Sequence, residues 1–174
     1  VAVYQNGRII ESTGDDDGAF APERSGSIPA LQLIDLCYSG EFTKDEMIKK
    51  VRGKGGMYAL TGTSDCRVAE EMIAAGNKEV ELVFNAMAYQ NAKAIAVNSV
   101  SLRGHVDAII LTGGAAYSKL LTDTIREYVR FIAPVIVIPG ENEIESLAQG
   151  GARILKGEET AKTYVWPSGF EHNK

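Results

Sequence analysis

The chain is poor in the residues that build covalent or metal-clamped scaffolds. It has two cysteines, Cys37 and Cys66, and two histidines, His105 and His172, among 174 residues. Two distant thiols exclude a disulfide framework, and such a sparse set excludes a thiolate or imidazole zinc constellation. Both cysteines read as small, reduced apolar residues. Basic residues are also in deficit, with 18 Lys and Arg against 23 Asp and Glu, a formal charge of -5. That balance argues against nucleic acid as a partner, because such affinity is largely supplied by clustered Lys and Arg. The longest apolar stretch, near Ile109, falls far short of the ~20 residues that span a bilayer. No charged-then-apolar leader is expected. The expectation is a reduced, cytoplasmic protein with no membrane and no nucleic-acid partner.

What is present suits a folded domain: 45% hydrophobic and 24% charged residues, in a chain long enough for a sizeable core. The opening Val1-Ala2-Val3-Tyr4 lacks an initiator Met and reads as a strand already under way, as expected of a piece of a longer polypeptide. Gln5-Asn6-Gly7 joins it to a second extended run at Arg8, because Asn-Gly tolerates the positive φ of a tight hairpin. An acidic loop, Gly14-Asp15-Asp16-Asp17-Gly18, follows.

Two helical patterns come next, residues 30–38 and a segment opening at Thr43, whose hydroxyl and Glu46 form a capping box. Met57-Tyr58-Ala59-Leu60 reads as a short strand, and a helix follows with Thr63 or Ser64 as its cap and Asp65 in its first turn. Residues 77–102 read as one long helix with Val80, Val83, Phe84, Met87 and Ile95 on its core side. The last third alternates. A near-continuous apolar strand, Val106 to Leu111, leads through Thr112-Gly113-Gly114 to a helix over 117–130. Val135-Ile136-Val137-Ile138, Pro139-Gly140 and a helix over 142–155 complete β-α-β-α. The expected fold is α/β, a mixed sheet with helices on both faces. Trp166 to Lys174 reads as a loose polar tail.

In an open α/β sheet, ligands collect at the carboxyl ends of the parallel strands. The Gly113-Gly114 turn lets backbone approach a planar base or a phosphate, although a tight βα turn needs the same glycines. Neither G-x-G-x-x-G nor G-x-x-x-x-G-K-[ST] occurs. Asp65 suits a helix dipole as well as a ligand. Arg67 suits solvent as well as stacking on adenine. Arg24, between Pro22-Glu23 and Ser25-Gly26, could steady charge on a transferring phosphoryl group or pair with Glu23, Asp15 or Asp17. Glu141 and Glu143 could bind Mg²⁺ through water or simply favour a helix N-terminus.

Taken in order, these segments resemble the C-terminal half of the butyrate kinases, within the acetate kinase family of the actin-like and sugar kinase superfamily. The most specific stretch runs Asp17-Gly18-Ala19-Phe20-Ala21-Pro22-Glu23-Arg24-Ser25-Gly26, then Ile28-Pro29. Leu31-Gln32-Leu33-Ile34-Asp35-Leu36-Cys37-Tyr38-Ser39-Gly40, Gly53-Lys54-Gly55-Gly56, Gly62-Thr63-Ser64-Asp65-Cys66-Arg67 and Leu111-Thr112-Gly113-Gly114-Ala115-Ala116-Tyr117-Ser118 extend it.

The resemblance implies an actin-like, ribonuclease H-like domain over 1–164, with a tail at 165–174 and a further N-terminal domain outside these residues. It implies phosphoryl transfer between ATP and a short-chain carboxylate, giving acyl phosphate and ADP with Mg²⁺. Arg24 would contact the phosphoryl group. Asp65 would lie near the ribose and Cys66 and Arg67 near the base, while the adenosine rests on Gly113, Gly114 and Ala115 with Ser118 close by. Glu143 is the nearest match to a magnesium-associated glutamate, with Glu141 its competitor, because the Glu-Asn-Glu-Ile-Glu spacing departs from acetate kinase. Association into a homo-oligomer through this domain is implied too, as is inactivity of the 174 residues alone. Two alternatives are kinase action on isobutyrate or acetate, and a non-catalytic actin-like nucleotide-binding module.

Overall fold

A computed structural model describes residues 1–14, 17–141 and 143–163. Asp15 and Asp16 of the acidic loop, Asn142 at the expected start of the last helix, and the tail from Tyr164 onward lie outside the described residues. The chain divides into Val1–Gly140 and Glu141–Lys174.

In the first unit, β1 (Ala2–Gln5) and β2 (Arg8–Ser12) form an antiparallel hairpin. Asn6 and Gly7 both take positive φ, 52° and 74°, the turn that matches the right-handed twist of its strands. Four helices follow: α1 (Ala30–Tyr38), α2 (Lys44–Val51), α3 (Gly56–Thr61) and α4 (Cys66–Ala74). The α2 capping box forms as expected. Glu46 N–H donates to the Thr43 hydroxyl at 3.4 Å, and Thr43 N–H donates to the Glu46 carboxylate at 2.8 Å.

The 21-residue α5 (Lys78–Asn98), capped by Asn77, is the spine of this unit. Phe84 and Met87 of α5 meet Met57 of α3 and Val129 of α6 (Lys119–Val129), and these four are the largest fully buried side chains. Burying each large apolar side chain stabilises the fold by roughly 1.5–3 kcal/mol. Strands β3 (Ile109–Gly113) and β4 (Val135–Pro139) pair in parallel, Ile109 opposite Val135, with α6 as the crossover. In the second unit, α7 (Glu143–Leu155) buries no residue.

Two expectations change. Met57 to Leu60 is helical, within α3, because Gly55 and Gly56 turn the backbone into a helix at once and Met57 drops into the core. The hairpin and the parallel pair are both present, but they form separate two-stranded sheets rather than one.

The tightest packing in the unit is backbone on backbone. Gly53 and Gly55 N–H both donate to the Glu23 carbonyl, at 2.8 and 3.2 Å. Met57 N–H donates to the Ala21 carbonyl at 3.1 Å, and Ser25 N–H to the Val51 carbonyl at 2.9 Å. Gly56 has φ +60°, and a Cβ there would sit 2.0 Å from the Ala21 oxygen and 2.5 Å from the Arg24 oxygen. Gly62 also has positive φ, +78°, but open space in front of it. Gly56→Ala is therefore expected to cost about 3 kcal/mol or more, from strain plus clash, and Gly62→Ala about 1 kcal/mol, from strain alone. Urea denaturation midpoints of the two variants check this ordering.

Candidate functional site

Arg24 projects from a short loop that the glycine contacts hold at both ends. Ala21 N–H donates to the Arg24 carbonyl at 3.0 Å, closing a tight turn, and Arg24 and Arg52 form an isolated antiparallel bridge. From the other side α5 grips the same loop. Phe20 N–H donates to the Gln90 side chain at 3.3 Å, and the Asn91 amide donates to the Phe20 carbonyl at 3.4 Å. Gly26 is buried, and a Cβ there would fall 2.4 Å from the Phe20 nitrogen. Arg24 itself is exposed. The backbone beneath this exposed cationic side chain is thus held from both sides, so that meeting an anion would not require the loop to be ordered first.

Asp65 is the N-cap of α4, one residue later than Ser64 and two later than Thr63, the caps expected from the sequence. Thr63 instead accepts Asp65 N–H through its hydroxyl at 3.1 Å and so presents the carboxylate to the helix end. Asp65 Oδ1 accepts Arg67 N–H at 2.9 Å and Arg67 Nε at 3.0 Å, while Oδ2 accepts Arg67 Nη2 at 2.6 Å. This bidentate contact and the backbone donor lower the Asp65 carboxyl to about 2, with the Arg67 charge adding to them. Because the folded value is depressed, the cap contributes above pH ~4 and is lost as pH falls from about 4 toward 2. The Arg67 guanidinium lies back against its own helix cap while remaining exposed.

Cys66, half-buried, has its thiol pushed up, first by burial and then by the charges of Glu70 and Asp65. A thiol so shifted stays protonated and behaves as a small apolar surface rather than a nucleophile.

At the carboxyl end of β3 the chain turns at Gly113, φ +86°, and passes through a single 3-10 turn, Gly114–Tyr117, into α6. Gly113 and Gly140 exchange two backbone hydrogen bonds, at 3.2 and 3.1 Å, so the ends of both parallel strands are tied. Nothing lies within 4 Å of where a Cβ would project from Gly113 or Gly114, which leaves the outer side of the turn open. Ala115 is half-buried against the core. Ser118 is buried and works in two directions. Its oxygen caps α6 by accepting Leu121 N–H at 3.0 Å, and its hydroxyl donates to the Glu70 carboxylate of α4.

That Ser118–Glu70 bond brings two of the expected site segments together. Glu70 lies four residues after Cys66, on the same face of α4, about 6 Å along the axis. The bond thus ties α4, which opens with the Asp65-Cys66-Arg67 cap, to the start of α6, which follows the Gly113-Gly114 turn. Glu70 and the α5 pair Gln90 and Asn91 were not singled out from sequence. Only the four-residue spacing from Cys66 hints at Glu70, and nothing local marks the other two. The Arg24 loop and the glycine turn share the rim of one largely apolar cavity of about 690 Å³, which Ala21 and Pro22 reach from one and Thr112 and Ala115 from the other.

Glu141 and Glu143 are exposed in the second unit and line a concavity there with Ile144, Glu145 and Ala148. Among the described residues no three His, Cys, Asp or Glu converge as metal ligands. Magnesium keeps several waters and is carried on one or two carboxylates plus substrate phosphates. Glu143, with Glu141, has the chemistry for that share only.

Comparison with solved structures gives the class first. The fold is actin-like: the chain is similar to an acetate kinase from Porphyromonas gingivalis at 20% identity, with a TM-score of 0.71 over 80% of this chain and 41% of that one. It matches a propionate kinase from Francisella tularensis at 18% identity, TM-score 0.71, over 82% and 44%. It matches an acetate kinase from Entamoeba histolytica at 17% identity, TM-score 0.76, over 88% and 47%. The chain thus spans less than half the length of each. The chain belongs to the acetokinase family, whose model matches residues 1–163. Among the described residues no helix is long and apolar enough to cross a membrane.

The thiol environments give a direct check. Cys37 is exposed and Cys66 half-buried with its thiol pushed up. At pH 8, iodoacetamide is expected to alkylate Cys37 at least tenfold faster than Cys66, read by peptide mass spectrometry. Equal rates would contradict the protonated, enclosed Cys66.

Proposed function

We propose that this chain supplies the nucleotide-binding half of a two-domain carboxylate kinase that transfers the γ-phosphoryl group of ATP to a short-chain acid, butyrate foremost. The observation that carries the reading is the Ser118–Glu70 hydrogen bond, which ties the helix opened by the Asp65-Cys66-Arg67 cap to the helix that follows the open Gly113-Gly114 turn. Family membership and the acetate and propionate kinases among its structural relatives support the reaction class. The choice of butyrate rests on the Asp17-to-Gly26 stretch and its neighbours, which resemble butyrate kinases more specifically than the fold does.

In this reading the adenosine lies on Gly113, Gly114 and Ala115, with Ser118 fixing the turn beneath it. Asp65 accepts from the ribose hydroxyls. Arg67 swings from its ion pair with Asp65, exposed and therefore readily exchanged, to stack over the base. Cys66 stays neutral and apolar against the base edge, since a thiolate there would repel the nucleotide phosphates. Arg24 faces the phosphoryl group in transit. A carboxylate oxygen attacks the γ-phosphorus in line, the bond to the β–γ bridging oxygen breaks, and ADP leaves. The protein contributes positioning and charge stabilisation, with no covalent intermediate. Glu143 would hold Mg²⁺ through water, and the ion would neutralise phosphate charge. Homo-oligomerisation through this domain and a cytoplasmic setting belong to the same proposal. The 174 residues alone bind nucleotide weakly and do not turn over.

Two measurements test it. Calorimetric titration of ADP into the 174-residue chain is expected to weaken about tenfold for Arg67→Ala, ~1.4 kcal/mol, and to change less than twofold for Arg24→Ala. A large loss for Arg24→Ala in folded protein would remove Arg24 from the transfer role. Acyl phosphate trapped as hydroxamate, from a polypeptide carrying both kinase domains, should be greatest with butyrate among acetate, propionate, butyrate and isobutyrate. A maximum with another acid would keep the reaction and change its substrate. No product from folded protein that still binds ADP would leave a non-catalytic nucleotide-binding module.

A further inference from the structure

Arg52 stands opposite Arg24, and backbone geometry fixes how. Ser25 N–H donates to the Val51 carbonyl at 2.9 Å and Gly53 N–H to the Glu23 carbonyl at 2.8 Å, one bond on each side of the Arg24–Arg52 bridge. Two residues flanked in this way share no backbone bond with each other. Their Cα atoms lie ~4.5 Å apart, and their side chains leave the same face side by side. Both arginines are exposed. The backbone beneath them is closely fitted. A Cβ at Gly56 would fall 2.5 Å from the Arg24 oxygen, and one at Gly55 2.7 Å from the Ser25 nitrogen.

Like charges placed directly opposite destabilise such a pair, so negative charge must meet it. The segment that carries Arg52 adds to the demand. From Met47 to Ser64 the sequence has no carboxylate and carries Lys49, Lys50, Arg52 and Lys54, in a chain whose formal charge is -5. Of these, Lys50 is engaged elsewhere, 4.3 Å from the centre of the Phe42 ring. Glu23 and the acidic run before Gly18 supply carboxylates close by in sequence, so the pair has counter-charge available from the chain itself. A phosphate group suits two adjacent guanidiniums better than a carboxylate does. It carries up to two negative charges and three or more acceptor oxygens, enough for a bidentate contact from each arginine.

We propose that Arg24 and Arg52 form one oxyanion clamp, in which both guanidiniums bind the same phosphate group. Arg52 is thereby a second cationic contact to the phosphoryl group that the reading above gives to Arg24 alone. That part in transfer rests on the reading above, whereas oxyanion binding rests on the cross-strand pair. Two cations on a held backbone spread a phosphoryl group's charge over more of its oxygens than one does, and they do so without ordering a loop at the moment of contact. Lysine is no substitute at either position, because it offers a point charge in place of a planar fork.

The test titrates inorganic phosphate into the 174-residue chain at constant ionic strength, replacing chloride, and follows the arginine Nε–H resonances by NMR. Arg24→Lys and Arg52→Lys assign the two signals. The expected result is that both signals move along one saturating curve. Each Lys variant, shown to be folded by its amide spectrum, is expected to weaken phosphate at the remaining arginine about fivefold. Lys49→Gln removes a charge from the same segment and is expected to change the affinity less than twofold. Movement of one signal only, of neither, or along two different curves would overturn the clamp. So would a loss as large for Lys49→Gln, or an equal response at Arg103, since either would mark general screening of charge. ADP is titrated in parallel. Phosphate held by the pair without ADP binding would keep the clamp and remove the nucleotide reading, and ADP binding without phosphate at the pair would do the reverse.

Discussion

The structure depends first on a contact that side chains would forbid. The loop carrying Arg24 lies so close to the 53–56 turn that a Cβ at Gly55 would fall 2.7 Å from the Ser25 nitrogen and one at Gly56 2.0 Å from the Ala21 oxygen. Only bare backbone fits. The same approach lets Gly53, Gly55, Met57 and Tyr58 donate across it, so the glycines convert a steric exclusion into a short stretch of paired chain. The backbone position of Arg24 follows from this stitch. A charged group that must reach solvent cannot be held by burial, so its backbone must be held instead.

The second organising element is α5, which supplies the core and also fixes loops on two sides. Gln90 and Asn91 grip Phe20, and the Asn98 amide donates to the Thr13 hydroxyl at 3.1 Å. Through Phe84 and Met87 the same helix packs on α3 and α6. One rigid helix thus sets the relation between the Arg24 loop and the start of α6, where Ser118 and the glycine turn sit. Ser118 closes the arrangement, because a buried hydroxyl must both donate and accept, and its two partners belong to different helices.

Much of this was legible in the sequence where a local rule acts alone. Asn6-Gly7 specified its turn, Thr43 and Glu46 their capping box, and the spacing of Val80, Phe84 and Met87 the core side of α5. The failures have a common physical origin in competition between local signals or in contacts far apart along the chain. Met57, Ala59 and Leu60 are good helix formers, but so short an apolar run between glycines does not separate helix from strand, and the backbone packing of Gly56 decided it for helix. Thr63, Ser64 and Asp65 are all good caps, and their local pattern could not rank them. Asp65 prevails where Thr63 accepts its N–H and Arg67 returns to its carboxylate. The Ser118–Glu70 pair spans 48 residues and has no local trace. For the candidate site, the residue types were visible, but their adjacency was not. The placement of Glu143 relative to them concerns a different unit of the chain.

The strands carry one further piece of information. Val106 to Leu111 and Val135 to Ile138 are apolar at nearly every position, the pattern of a sheet covered on both faces. Ile109 is buried and Leu111, Val135 and Val137 are half-buried, the last three alternating with Ile110, Ile136 and Ile138, which are all exposed. One face therefore meets the helices and the other carries isoleucine into solvent. A two-stranded parallel sheet is weak by itself, and three adjacent exposed isoleucines add an apolar patch rather than stability. Charged residues on that face would solvate it better at no cost to the strand backbone. The choice of isoleucine is therefore matched to a covered environment rather than to solvent.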